Sequence, residues 1–187
     1  MKRTLPAAAT GRLKAHLKRG GLIAYPTESC YGIGCLPAHP KALRRLVRLK
    51  KRPQGKGMIV IGSRLAQLLP LLQRPSEHTA AKLRQTWPAP VTFLLDAAPD
   101  IPPLLRGRNR RKLAVRVPAH EGARDLCRKL GTALVSTSCN RAGKRPCKTE
   151  REARRRFGRD VWVVGGMVGR QKTPSRIVDA DTGQRLR

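Results

Sequence analysis

The amino-acid sequence predicts an α/β (α+β) fold, a single domain over residues 1–187 with helices packed around a central sheet. Three observations carry that reading. Short apolar runs of strand length alternate with amphipathic helical patterns along nearly the whole chain. At 187 residues the chain is long enough for one packed domain and short for two. No internal repeat and no linker-like segment divides it. Alternation alone leaves parallel and mixed sheets equally open.

The elements follow in order. T-G-R-L-K-A-H-L-K-R (10–19) reads as a helix with Thr10 as its N-cap and Gly20-Gly21 closing it. A buried strand spans 22–26 and stops at Pro26. P-K-A-L-R-R-L-V-R-L-K-K-R (40–52) gathers Leu43, Leu46, Val47 and Leu49 broadly on one side, with Arg44, Arg45, Arg48 and Lys51 elsewhere. G-M-I-V-I-G (57–62) is a short buried strand, and helical patterns follow at 64–72 and 76–87. V-T-F-L-L (91–95) is a strand. Residues 96–111 are Pro-rich and then strongly basic, which predicts an irregular surface loop. K-L-A-V-R-V-P (112–118) is a strand, E-G-A-R-D-L-C-R-K-L (121–130) a helix and T-A-L-V-S-T-S (132–138) a strand. A further helix opens at Thr149, with acids in its first turn and arginines later, as the helix dipole prefers. V-W-V-V and S-R-I-V-D complete the strands.

Charge narrows the function. Lys and Arg number 41 against 11 Asp and Glu, for a net charge of +30. Such an excess implies polyanionic partners, whether nucleic acid or nucleotide phosphate. Six scattered aromatic residues give no base-stacking platform. Five cysteines without a CxxC pair read as free thiols, and four scattered histidines share no zinc-ligand spacing. No apolar run reaches the roughly 20 residues of a membrane helix, and the N-terminus lacks the apolar core of a signal peptide. The expectation is therefore a cytoplasmic protein with no membrane partner.

Six polar clusters lie where strands meet turns: A-Y-P-T-E-S-C-Y-G-I-G (24–34), L-K-K-R-P-Q-G-K-G (49–57), W-P-A-P-V-T (87–92), A-V-R-V-P-A-H (114–120), V-S-T-S-C-N-R-A-G (135–143) and K-T-P-S-R-I-V-D (172–179). Open sheets bind ligands beyond strand ends, so the clusters are expected to converge on one crevice. Neither a P-loop nor a G-x-G-x-x-G fingerprint is present. Ser136 and Ser138 lack a G-x-S-x-G elbow and a local base, which counts against an acyl-transfer nucleophile. By themselves the residues leave a phosphate-binding enzyme and an RNA-binding or ribosome-assembly protein without catalytic activity both open. Glu28 is the only acid among the first 76 residues, against sixteen Lys and Arg, and is expected to pair with Lys50 or Arg52.

Taken together, in this order, the six motifs resemble the YrdC/TsaC family, in its short bacterial form, from about residue 20 to the C-terminus. That resemblance implies a twisted, mixed parallel/antiparallel sheet flanked by helices, with a positively charged concave face. It implies that L-threonine, bicarbonate and ATP are joined into L-threonylcarbamoyladenylate, with release of pyrophosphate. Partner proteins would then pass the threonylcarbamoyl group to an adenosine beside the tRNA anticodon, and the basic face could itself receive tRNA. ATP enters as substrate with a divalent cation, Mg2+ by expectation, and no structural metal is implied. By matching motif positions, Lys50 and Arg52 are the catalytic candidates. Lys50, Arg52, Lys56, Ser138 and Asn140 fall to ATP. Thr27, Tyr31, Arg116, Ser136 and Ser175 fall to threonine, with Arg116 suited to its carboxylate. Three departures stand out: Cys139 where relatives usually carry Ala, Ala89 where Gly is common, and Arg176 where Thr or Glu is often seen.

Overall fold

The computed structural model describes residues 6–53 and 55–186. Residues 1–5 of the stretch read above for a signal peptide, Gln54 of the second cluster and Arg187 lie outside them. Helix α1 (Ala7–Lys18) leads into strand β1 (Leu22–Pro26), which turns back into β2 (Tyr31–Gly34). There follow α2 (Pro40–Lys50), β3 (Ile59–Ile61), α3 (Glu77–Thr86), β4 (Val91–Asp96) and the short α4 (Pro103–Arg106). The chain continues through β5 (Lys112–Arg116), α5 (Glu121–Leu130), β6 (Leu134–Ser138), α6 (Glu150–Phe157), β7 (Val161–Val163) and β8 (Arg176–Asp179). The strands form one eight-stranded sheet in the order β7-β1-β2-β6-β3-β5-β4-β8. Three pairs are parallel, β7–β1, β3–β5 and β4–β8, and the other four are antiparallel. The sheet is mixed, as the resemblance implied.

Local chemistry explains where the chain departs from its pattern. α1 starts three residues earlier than expected, so Thr10 sits inside the helix with its hydroxyl donating to the Pro6 carbonyl at 3.1 Å. Pro70 removes a donor from the 64–72 pattern, which resolves into two 3-10 turns rather than an α-helix. The 96–111 segment is not wholly irregular. Its α4 buries Leu105 completely, and the Leu105 carbonyl accepts from Met58 N at 2.8 Å. β2 was unexpected because Y-G-I-G has two glycines in four residues, a poor strand former by propensity. Thr149 does cap α6, accepting from the Glu152 amide at 3.2 Å, and His39 and His120 cap α2 and α5 in the same way.

Period-two alternation sorts each strand between two faces. Toward one face point Leu22, Ala24, Tyr31, Ile33, Val60, Phe93, Val115 and Val135, packed with Leu43 and Leu46 of α2, Leu83 of α3 and Phe157 of α6 in the larger core. Toward the other point Ile23, Tyr25, Ile61 and Leu134, covered by Leu13 and Leu17 of α1 and by Ala123, Leu126, Cys127 and Leu130 of α5. Those two helices cover only part of that face. The remainder, running from Gly32 of β2 across to Ile177 of β8, stays bare of helix.

Candidate active site

The bare half of the sheet is the floor of a cleft of about 940 Å³. Gly32, Ser136, Ser138, Ile59, Ala114, Arg116, Leu94 and Ile177 form it, drawn from six adjacent strands. Strand β5 shows the sorting most clearly. Lys112, Ala114 and Arg116 face the cleft, whereas Leu113 and Val115 are fully buried in the core behind it. The crevice thus lies on a sheet face rather than beyond a common strand end. Antiparallel pairing sends the carboxyl ends of neighbouring strands in opposite directions, so no common carboxyl edge exists.

Five of the six polar clusters reach this cleft directly. Thr27, Arg52, Arg116, Ser136, Ser138 and Ser175 all line it. The sixth, W-P-A-P-V-T, acts from behind: Thr92 is fully buried, and its hydroxyl meets that of Ser175 at 2.9 Å. Thr27 closes the β1–β2 turn, its hydroxyl donating to the Cys30 carbonyl at 2.8 Å. Gly32 was not singled out from sequence, yet a Cβ there would come within 3.0 Å of the Ser136 hydroxyl and 3.2 Å of Thr27. Glycine keeps the floor low enough for both hydroxyl residues to face one small volume. Thr27, Ser136, Arg116 and Ser175 are each nearly buried, a polar lining of the kind that orients a small ligand.

Two candidates serve the site from beneath. Lys50, the last residue of α2, is buried, and its ammonium donates to the main-chain carbonyls of Ser138 and, at 2.7 Å, Asn140. Burial, reinforced by the nearby Arg52 charge, pushes the Lys50 ammonium down to about 8. Asn140 spends its side chain on the same turn. Its Oδ1 accepts from the Ser138 hydroxyl at 2.5 Å, and its Nδ2 donates to the carbonyls of Arg141 and Lys144. The S-T-S-C-N turn is therefore held from inside by a cation. Cys139, the departure within it, is fully buried, and burial raises its thiol well above the ordinary value, so it is not a reactive thiolate.

The remaining candidates divide. Arg52 lines the cleft, its guanidinium donating to the carbonyls of Lys56 and Gly57. Lys56 is exposed on that loop and does not line the cleft. Tyr31 lies on the opposite face of the sheet, in the larger core, with its hydroxyl donating to the Gly166 carbonyl at 2.8 Å. A one-residue step along β2 separates Tyr31 from Gly32, and that step decides the face. Glu28 pairs with neither Lys50 nor Arg52. Its Oε2 stands 3.4 Å from the Arg116 guanidinium, and its Oε1 accepts from Ala119 N at 2.9 Å.

The electrostatics of the cleft are one-sided. Eight of its lining residues are Lys or Arg and none is Asp or Glu. Among the described residues, three of the eight have carboxylate partners: Lys112 with Asp179 and Asp181, Arg111 with Asp96, and Arg116 with Glu28. Arg52, Arg106, Arg110, Lys148 and Lys172 carry charge into the cleft without one. Low-dielectric walls focus such a field on a bound polyanion. Sequence reasoning passed over Arg106, Arg110, Lys148 and Lys172, because a cation anywhere in a chain this basic carries little local signal. The same donor set is unsuited to caging a divalent cation. No group of three or more His, Cys, Asp or Glu is placed to hold one among the described residues.

The wider family of proteins offers direct comparison. The Sua5/YciO/YrdC family model, described as "Telomere recombination", matches residues 15–187. The threonylcarbamoyl-AMP synthase of Neisseria gonorrhoeae is 65% identical over 185 residues, 99% of this chain and 98% of that protein. The threonylcarbamoyl-AMP synthase of Thiobacillus denitrificans is 51% identical over 175 residues, covering 94% and 93%. Among solved structures, P. abyssi Sua5 complexed with L-threonine superposes with a TM-score of 0.84 at 25% identity. The match covers 95% of this chain and 52% of that one, so this chain spans about half the Sua5 length.

Proposed function

The chain belongs to the Sua5/YciO/YrdC family, and on that premise we propose that it is a threonylcarbamoyl-AMP synthase. It joins L-threonine, bicarbonate and ATP into threonylcarbamoyladenylate with loss of water and pyrophosphate. The observation that carries the reading is the cleft itself: eight cations, one of them the buried Arg116, and no carboxylate line it around a floor that carries hydroxyls.

The chemistry suits that lining. The threonine amine, once deprotonated to its neutral form, attacks the carbon of bicarbonate; a C–O bond breaks, hydroxide leaves with the proton shed by nitrogen as water, and a carbamate remains. A carbamate oxygen then attacks the α-phosphorus of ATP, and the bond to the bridging oxygen breaks to release pyrophosphate. Such a displacement needs alignment and neutralisation of charge more than a covalent protein nucleophile. Arg116 receives the threonine carboxylate in a charge-assisted fork, while Thr27, Ser136 and Ser175 surround the rest of the amino acid. Arg52 and Ser138 meet phosphate oxygens, and Lys50 and Asn140 hold the turn that presents Ser138. Lys56 approaches only outer phosphates, from the rim. A divalent cation travels with the ATP, and the product passes to partner proteins that modify tRNA.

The test is direct. Purified protein with ATP, threonine, bicarbonate and magnesium is expected to release pyrophosphate only when threonine is present and to accumulate the adenylate. Absence of both products, with salt-sensitive RNA binding retained, would replace this reading with the non-catalytic RNA-binding one.

Lys50 adds a pH prediction. In the ATP-free protein its ammonium titrates near 8, so nucleotide affinity should weaken as pH rises from 7 to 9 and charge leaves the turn. Stability should move the other way. The folded value lies below the ordinary 10.5, so burying the charged form costs stability below about 8, and that cost is relieved between about 8 and 10.5. Equilibrium ATP binding without threonine, compared with Lys50→Met, isolates the effect. A pH dependence identical in the two proteins would remove Lys50 from the account.

A further inference from the structure

We propose that Glu28 is a positioning residue for this reaction. Its buried carboxylate holds the Arg116 guanidinium in the orientation that receives a substrate carboxylate, and so sets the preference of the site for an amino acid. The inference rests on the assignment of Arg116 to threonine made above.

Glu28 and Arg116 are each 7% exposed, and only Arg116 lines the cleft. Glu28 is anchored at its carboxylate by one hydrogen bond and along its backbone by two more. Its Oε1 accepts from Ala119 N at 2.9 Å, on the connection from β5 to α5. Its main-chain carbonyl accepts from Gln171 N at 3.1 Å, and the preceding Thr27 carbonyl accepts from Gly169 N at 2.9 Å. Gly169 packs so closely that a Cβ there would lie 2.7 Å from the Glu28 carbonyl oxygen. With one oxygen pinned to a backbone amide and its own backbone fixed, the carboxylate cannot turn to follow an arginine. The flexible guanidinium is the partner that is oriented.

The pairing is poorly suited to a purely structural purpose. Glu28 Oε2 and Arg116 Nε complete no hydrogen bond among the described residues, and the closest approach of the two groups is 3.4 Å. Buried ion pairs with incomplete hydrogen bonding offset their desolvation badly, and apolar residues of similar volume would serve the fold at least as well. Direction is what the pair provides. Arg52 and Lys148 line the same cleft without carboxylate partners, and they repel any cation free to swing among them. Glu28, itself outside the cleft lining, sets an attractive charge 3.4 Å from the Arg116 guanidinium and so fixes its orientation against that repulsion.

The experiment compares wild type with Glu28→Gln in threonine-dependent pyrophosphate release. Each is assayed with L-threonine and with the amino alcohol in which CH2OH replaces the carboxylate. The wild-type reaction is read first, because a wild type inactive with threonine strikes the functional assignment and, with it, the role of Glu28. Given an active wild type, Glu28→Gln is expected to raise the threonine KM about tenfold while kcat and the ATP KM stay within about threefold. The kcat/KM preference for threonine over the amino alcohol should fall by a similar factor. A merely structural lesion would weaken both substrates equally, and an unchanged preference overturns the proposal. Should that variant fail to fold, Glu28→Asp keeps the charge and withdraws it by one methylene. It is expected to shift the same preference by a smaller factor, and a folded Glu28→Asp protein with wild-type preference overturns the proposal equally.

Discussion

Replacing Arg116 with methionine is expected to raise the threonine KM by about 100-fold, since a hydrogen bond to a charged group contributes ~1.5–3 kcal/mol and each 1.4 kcal/mol is tenfold. The ATP KM should hardly move. The same substitution strands Glu28, a buried carboxylate that then has no ion-pair partner among the described residues. Removing one partner of a buried pair costs about 3–5 kcal/mol, so the variant should also melt well below wild type. Adding Glu28→Gln separates the two consequences. The double variant Arg116→Met/Glu28→Gln removes both charges of the pair and should regain most of the lost stability, yet it lacks the Arg116 cation that receives the carboxylate and should keep the threonine defect. Thermal melts beside steady-state kinetics read both. A double variant that recovers its threonine KM would show that Arg116 does not bind the substrate.

Gly34→Ala is the substitution with the largest expected effect on the fold. A Cβ on Gly34 would stand 1.6 Å from the Val135 carbonyl oxygen, an overlap with main chain that no rotamer can relieve. The two strands must part, which disturbs the β2–β6 pairing and the neighbouring bond from Val135 N to the Cys35 carbonyl at 2.9 Å. Overpacking against rigid backbone costs about 3 kcal/mol or more, equivalent to roughly 6–12 °C in Tm for a chain of this size. Gly11, whose Cβ would meet nothing within 4 Å, is the internal control and should tolerate alanine without loss. A Gly34→Ala protein that melts with wild type would mean that β2 and β6 can part at Gly34 without cost.

Much of the architecture was legible because it depends on local rules. The amphipathic stripe of α2, the apolar core of β6 and the Thr149 cap declare themselves within a dozen residues, and each appears where the periodicity puts it. β2 did not. Its two glycines look like turn residues, and their reason for being there is a contact with β6, about a hundred positions away. The candidate site shows the same division. Arg116, Ser136, Ser138 and Ser175 were identifiable as a set and do line one cleft. Lys50 and Tyr31 were placed in that set too, yet one lies under the turn and the other across the sheet. Nothing within either motif distinguishes a residue that faces the cleft from one that braces it.

By itself the sequence determined the fold class, the six motifs and the positive charge, for these follow from periodicity, residue type and composition. Only the tertiary structure decided which face of the sheet stays bare, because that depends on where α1 and α5 end over strands distant in sequence. It also decided the partner of Glu28. Composition offered that lone acid many cations, and the mutual repulsion of Lys50 and Arg52 made either of them the expected partner. The return of β5 brought Arg116 to it instead, and a buried carboxylate pairs with the charge that the fold delivers to it.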